Sequence, residues 1–336
     1  MPNLNFPDLY TPAELTAAVN KLPLMPLRLS GLFKETGVRT TKVSLDIRQG
    51  RIILVPNQDR RDKPEHLAGR GTRRSTKILE CAHLPLADTI LPDDIQDVRG
   101  FGAAEPIGPE TVINDRLQTL KNSVEMTVEF HRTGAVKGVV YDADGVTVLH
   151  DLYDVFGISK KRIDILFPDE VPVTENPVLK AILDGKRHAE QKCGGLPIAR
   201  FEALVGSDFY DLLTGHELVR EAFEQWQANQ QNWGDNDYRR RGFVYGNVTW
   251  LEASEVVCGR AIVEKNKAHM YPIAPGIFET FYAPANWNQT VNTIGLPFYA
   301  QMEAQDMNRG YELEVQSNPL CVCTFPETLV EFTALV

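Results

Sequence analysis

The chain has 336 residues, a formal net charge of -10, 43% hydrophobic and 24% charged residues. These values exclude a disordered, collagen-like or membrane-embedded polypeptide and fit two globular domains, or one elaborate one. A chain of this length can bury about three quarters of the surface it exposes when unfolded.

Residues 11–22, "TPAELTAAVNKL", predict a short helix. Thr11 suits the N-cap, Pro12 the first helical position, and Glu14 the third residue after the cap. The apolar, proline-punctuated "PLMPLRLSGLF" follows. This opening is too small for a core of its own and is expected to lie as an arm against another element.

Residues 40–55, "TTKVSLDIRQGRIILV", alternate as two strands around a Gln49-Gly50 turn. From Arg48 to Lys77 there are nine Lys/Arg against three acids, a segment of +6 that leaves the remainder at -16. Its tip, "DRRDKPEHLAGRGTRRSTK", has almost nothing apolar to bury. It is either a solvated surface loop or a functional one, since structureless stretches of about 20 residues are uncommon within compact domains. The opposite charge of the body makes self-association a physical option. β-type alternation resumes in "KILECAHLPLADTI".

Residues 109–134 predict a long helix, with Pro109 in its first turn and Gly134 at its end. Ile113, Leu117, Leu120, Val124 and Val128 form one apolar stripe along a rod of about 39 Å. A hairpin turning at Asp144-Gly145 follows. Next comes a helix with Val178, Leu179, Ile182 and Leu183 on one side, closed by Gly194. Two shorter helices divide near Gly215, and from Arg241 the texture is β. Helices and strands mix without regular βαβ alternation, which predicts an α+β fold.

Chemical motifs fail one by one. No phosphate-binding loop or G-x-S-x-G elbow is present, and "HELVR" at 216–220 has Arg220 where a zinc helix needs its second histidine. The basic clusters "SKKR" (159–162) and "RRRGF" (239–243) are read as solvated faces or subunit contacts ahead of nucleic-acid contacts. Five cysteines without a C-x-x-C pair read as buried free thiols. No secretory signal is visible, and no run approaches the roughly 18 apolar residues of a membrane span.

Two stretches are more specific: "MYPIAPGIFETFYAPANW" (270–287) and "GLPFYAQMEAQDMNRGYELEVQSNPLCVCTFPETLV" (295–330). Together with the order arm, basic loop, long helix, mixed domain, they resemble the phage major capsid protein E family, the lambda-type head proteins. The resemblance implies an α+β, Hong Kong 97-type capsid fold: an N-terminal arm (1–37), an extended loop (38–95), a peripheral domain (96–141 and 301–336) with a spine helix at 109–134, and an axial domain (142–300). It implies no catalytic, cofactor-binding or metal residues. The expected partners are copies of the chain itself, as hexamers and pentamers of an icosahedral shell in the virion, assembled in the bacterial host cytoplasm. Scaffold, portal and decoration proteins are further candidates, with packaged double-stranded DNA touched non-specifically and no membrane contact. Inter-subunit contact is expected through Arg60, Arg61, Lys63, Arg70, Arg73, Arg74 and Lys77 of the loop. The competing readings are an encapsulin-like nanocompartment shell, and a nucleic-acid-binding protein or enzyme with an unrecognised site.

Overall fold

Thr11 sets the first element of the computed structural model. Its hydroxyl accepts a hydrogen bond from the Glu14 backbone N–H, and the Glu14 carboxylate in turn accepts one from the Thr11 N–H at 2.8 Å. This capping box starts α1 (Pro12–Lys21) where the sequence predicts it. The described residues are 11–23, 27–47, 75–94, 109–167, 176–230, 242–254, 256–257 and 260–335.

Strands β1 (Lys34–Gly37), β2 (Lys42–Ile47), β3 (Ser75–Glu80) and β4 (Leu84–Ile90) lead to α2 (Pro109–Lys137). β2 pairs with β3 as a two-stranded ribbon. The expected Gln49-Gly50 turn and the strand after it lie outside the described residues. Helix α2 has 29 residues, about 43 Å at the usual rise. It runs three residues past the expected end at Gly134. Gly138 makes the exit, with φ +84°. Gly134 has another use: a Cβ there would stand 2.8 Å from the Val139 carbonyl and the Val140 Cα, so its bare backbone lets the next strand in.

After α2 come β5 (Val139–Tyr141) and β6 (Val148–Asp151), antiparallel around a turn in which the Asp144 carboxylate accepts from the N–H groups of Val146 and Thr147. Then follow α3 (Leu152–Phe156), β7 (Lys161–Leu166), α4 (Pro177–Lys192), β8 (Arg200–Val205), α5 (Ser207–Gly215) and α6 (Glu217–Gln230). The strand-rich remainder comprises β9 (Phe243–Tyr245), β10 (Val248–Glu252), β11 (Val256–Val257), β12 (Arg260–Ala261), β13 (Lys267–Ile273), β14 (Phe278–Tyr282), β15 (Tyr299–Ala304), β16 (Tyr311–Ser317), β17 (Pro319–Cys323) and β18 (Val330–Leu335).

The chain divides into two compact units. Unit 1 holds residues 1–43, 78–132 and 279–321. Its antiparallel sheet β15–β16–β4 lays Ala300, Met302, Leu313 and Val315 against Leu15 and Val19 of α1 and the α2 stripe Ile113, Leu117, Leu120, Val124. Fully burying each of these large side chains contributes about 1.5–3 kcal/mol. Thr16 Oγ1 donates to the Ala300 carbonyl at 3.2 Å and the Asn20 amide to the Phe298 carbonyl at 2.8 Å, so the arm docks on β15.

Unit 2 holds residues 44–77, 133–278 and 322–336. It is built on a mixed six-stranded sheet in the order β7–β18–β13–β8–β10–β9. Helices α4 and α5 cover it through Val178, Ile182, Phe209 and Leu213, and Trp250 stacks on Phe209 at 5.9 Å between ring centroids. Residues 301–321 belong to unit 1, whereas the C-terminal strand β18 pairs with β13 and β7 in unit 2. Phe332, fully buried there, supplies the reason, because it packs on Trp250.

Candidate assembly interface

The base of the basic segment is the β2–β3 ribbon. Of the seven expected contact cations, Lys77 falls among the described residues and is half-buried on β3. Arg60, Arg61, Lys63, Arg70, Arg73 and Arg74 lie outside them. Beside the ribbon, Lys42 pairs with Glu80 and Ile78 is 63% exposed. The Cys81 N–H donates to the Thr41 carbonyl at 2.9 Å, and the Ala82 N–H to the Pro319 carbonyl at 2.9 Å. These two backbone bonds fix where the segment returns to unit 1.

A second feature was not found by reading the apolar stripe of α2. Polar side chains of the same helix hold the arm. Gln118 donates to the Pro23 carbonyl at 3.4 Å and Lys121 Nζ to the Leu22 carbonyl at 2.7 Å. The Glu129 carboxylate accepts from the Leu29 N–H at 2.6 Å, and Arg132 donates to Glu35 at 2.7 Å. Lys121, Glu129 and Arg132 are all buried. Burial lowers the Lys121 pKa by disfavouring its charged form. Burial raises that of Glu129, opposed by the Leu29 N–H and by Arg132. Positions 121, 125, 129 and 132 are spaced by four, four and three, so the signal was a helical stripe of charge beside the apolar one.

In unit 2 the "SKKR" cluster is only partly engaged within its own chain, the side chain of Lys160 being 21% and that of Arg162 69% exposed. Lys160 pairs with Glu331 of β18, and Arg162 Nε approaches the same carboxylate at 3.4 Å. Glu331 is 3% exposed, and that is the reason: a buried carboxylate requires cations. His269 stands between two acids, Nε2 at 3.5 Å from Glu264 and Nδ1 at 3.9 Å from Glu331. Lys137 reaches Glu264 at 3.5 Å. The cluster at 239–243 lies mostly outside the described residues; its Phe243 is fully buried.

Among the described residues, no group of His, Cys, Asp and Glu could hold a metal ion, and no helix is long and apolar enough to cross a membrane. The thiols of Cys321 and Cys323 are buried and their pKa values are pushed up to about 12.

Comparison with known proteins decides what such a chain is for. Residues 11–334 match the family described as "Phage major capsid protein E". The chain belongs to this family. It is 26% identical to the major capsid protein of Pseudomonas phage KPP10, covering 97% of this chain and 98% of that one. It is 27% identical to the major capsid protein of Salmonella phage Felix O1, covering 96% and 95%. In structure it resembles a prophage protein described as a capsid protein (Escherichia coli CFT073), with TM-score 0.62, 14% identity, and 97% and 99% coverage. As a phage major capsid protein it has the α+β, Hong Kong 97-type fold and is a structural protein, not an enzyme. Capsid subunits work by associating with copies of themselves, and the phage reading stands over the nanocompartment one.

Proposed function

We propose that the chain closes an icosahedral shell of hexamers and pentamers around the double-stranded DNA of a tailed phage or prophage, assembling in the host cytoplasm. The observation that carries this is the family match across residues 11–334, supported by full-length coverage of two major capsid proteins. Unit 1 is read as the peripheral domain with its spine helix, and unit 2 as the axial domain. Each +6 segment, 48–77, lies on a neighbouring copy. Exposed ion pairs contribute about 0.2–1 kcal/mol each, so the segment orients neighbours, while apolar burial over permanent interfaces of about 2,000–5,000 Å² holds them. Scaffold, portal and decoration proteins are the further partners, and DNA is met without sequence preference.

Negative-stain microscopy of the purified chain tests the reading. Hollow particles of megadalton mass are expected, and small oligomers at every concentration would overturn it. The variant Arg60→Glu/Arg61→Glu/Arg73→Glu/Arg74→Glu is expected to stay folded and form no particles. Normal particles from it would remove the segment from the assembly.

A further inference from the structure

Strand β15 lies at one edge of the sheet β15–β16–β4, and its antiparallel pairing with β16 uses the backbone groups on one of its sides. On the other side α1 meets it with side chains. The Thr16 hydroxyl donates to the Ala300 carbonyl and accepts from the Ala300 N–H, both at 3.2 Å. One hydroxyl thus satisfies the two atoms that a residue of a neighbouring strand would satisfy. The Asn20 amide donates to the Phe298 carbonyl and to the Thr16 carbonyl, both at 2.8 Å, which ties the second bond to the helix. Backbone direction alternates along a strand, so Phe298, Ala300 and Met302 all aim their N–H and C=O groups at this edge. Ala300 is fully buried and Thr16 is 8% exposed, so α1 seals the middle of the edge.

Exposed strand edges invite pairing with another chain, and proteins blunt them with charge, proline, shortness or a cover. Other sheet edges in this chain carry their own protection. β4 has Pro85 and Asp88, β7 has Lys161, Arg162 and Asp164, and β9 is three residues long. β15, "YAQMEA", has no proline, and its one charge, Glu303, stands next to its last residue. Its cover is α1. Two uncovered copies would fit each other. Antiparallel pairing centred on Ala300 sets Phe298 opposite Met302 and Tyr299 opposite Gln301. Glu303 then faces Pro297, so no like charges meet across the pair.

We propose that the edge of β15 is a strand-pairing surface whose partner is β15 of a second copy, and that α1 is the guard that keeps it closed in the unassembled subunit. The pairing is isologous: each copy offers Phe298, Ala300 and Met302 and receives the same three. Threonine is a weak helix former, and its place in the middle of a ten-residue helix is explained by the two bonds its hydroxyl makes to the edge. The pairing concerns subunits before assembly and stands apart from the shell reading above.

Loosening α1 in the full chain, below the concentration of assembly, tests this. Gln301→Cys serves as the reporter: in the pairing centred on Ala300 the two 301 positions stand about 8 Å apart, within reach of a short bis-maleimide. With α1 intact, covalent dimers are expected only at the background of the chain without the reporter. Adding Leu15→Asp/Val19→Asp puts charge where α1 meets the core and is expected to raise the dimer fraction by about tenfold or more. Circular dichroism checks folding. If that pair unfolds the chain, Thr16→Val/Asn20→Ala takes its place, because it removes the edge bonds and leaves Leu15 and Val19 packed. Hydrogen exchange gives a second readout: the Ala300 N–H should exchange up to about tenfold faster in Thr16→Val, as the loss of one hydrogen bond implies. A dimer fraction that does not change when α1 is loosened overturns the proposal. So does unchanged exchange at Ala300, which would show that Thr16 guards nothing. Failure of the wild type to form particles would bear on the shell reading alone.

Discussion

The Glu129 carboxylate accepts the Leu29 backbone N–H at 2.6 Å, joining two residues one hundred positions apart. The bond crosses from the N-terminal arm to the spine helix. Glu129 also stands 3.6 Å from Arg132, whose side chain is 4% exposed. Removing the carboxylate takes away an acceptor from a buried N–H and a partner from a buried guanidinium. Glu129→Ala should therefore cost about 3–4 kcal/mol, the lower part of the range for breaking a buried pair, because Arg132 keeps Glu35. Glu129→Gln keeps the acceptor oxygen and loses only the charge, so about 1–2 kcal/mol is expected. Urea unfolding followed by tryptophan fluorescence, below the concentration of assembly, measures both. Equal midpoints for the two variants would show that the Leu29 bond carries nothing.

Gly185 tests packing against propensity. It lies within α4, where replacing glycine by alanine would ordinarily stabilise a helix by about 0.5–1 kcal/mol. A Cβ there would lie 2.7 Å from the tip of the Phe332 ring and 3.2 Å from the Met270 methyl. Both neighbours are fully buried, and overpacking such a site costs about 1–3 kcal/mol. The strain is larger than the propensity gain, so Gly185→Ala should lower the urea midpoint. A raised midpoint would mean that Phe332 can turn aside freely.

The parts of this fold that are legible in the sequence are those specified within a few residues. Thr11 and Glu14 cap α1, Asp144 and Gly145 turn a hairpin, and Asn176 begins α4, accepting from the Leu179 N–H. Where two residues offer the same local signal, distant contacts choose between them. Gly134 and Gly138 could each end α2; the close approach of Val139 and Val140 uses the first, and the exit takes the second. The α4 stripe is also narrower than expected: Val178 and Ile182 are fully buried with Gly185 and Ala189, while Leu179 and Leu183 sit at its edge. The polar ladder Gln118, Lys121, Glu129, Arg132 escapes a reading that scores only apolar spacing. Three of its four partners are backbone atoms of the arm, which carry no residue identity, and the fourth is the Glu35 carboxylate, 97 positions from Arg132. The cations at 60–74 are legible as charge alone.

Acid should loosen unit 2 before unit 1. Burial lowers the pKa of His269 from 6.5, and its hydrogen bond with Glu264 offsets this only in part. The same hydrogen bond holds Glu264 well below the usual carboxylate range, helped by Lys137 and against its own burial. For Glu331, burial pushes upward, but Lys160 together with His269 and Lys267 outweighs it and leaves the pKa lowered. In all three the unfolded chain binds its proton at a higher pH than the folded one. Stability is therefore present above the unfolded values and falls as pH drops, first below 6.5 through His269 and then below 4.5 through the two glutamates. Glu129 of unit 1 has the opposite sign, because its raised pKa favours the folded state as it protonates. Hydrogen exchange between pH 7 and 4 should show protection lost in β13 and β18 before α2. His269→Gln should flatten the upper part of the pH dependence, whatever it does to stability at pH 7.

Salt separates orientation from cohesion. If the +6 segment guides neighbours and apolar burial holds them, the two stages of assembly respond differently to ionic strength. Raising salt from about 0.1 M to about 1 M shortens the screening length from about 10 Å to about 3 Å. Exposed ion pairs of the segment lose most of their pull over that range, whereas apolar contacts do not weaken. Light scattering should show slower particle growth at high salt, while particles already formed stay intact after transfer into the same buffer. Prompt dissolution of finished particles would mean that charge, not burial, holds the shell. Growth at an unchanged rate would mean that the cationic segment has no part in bringing copies together.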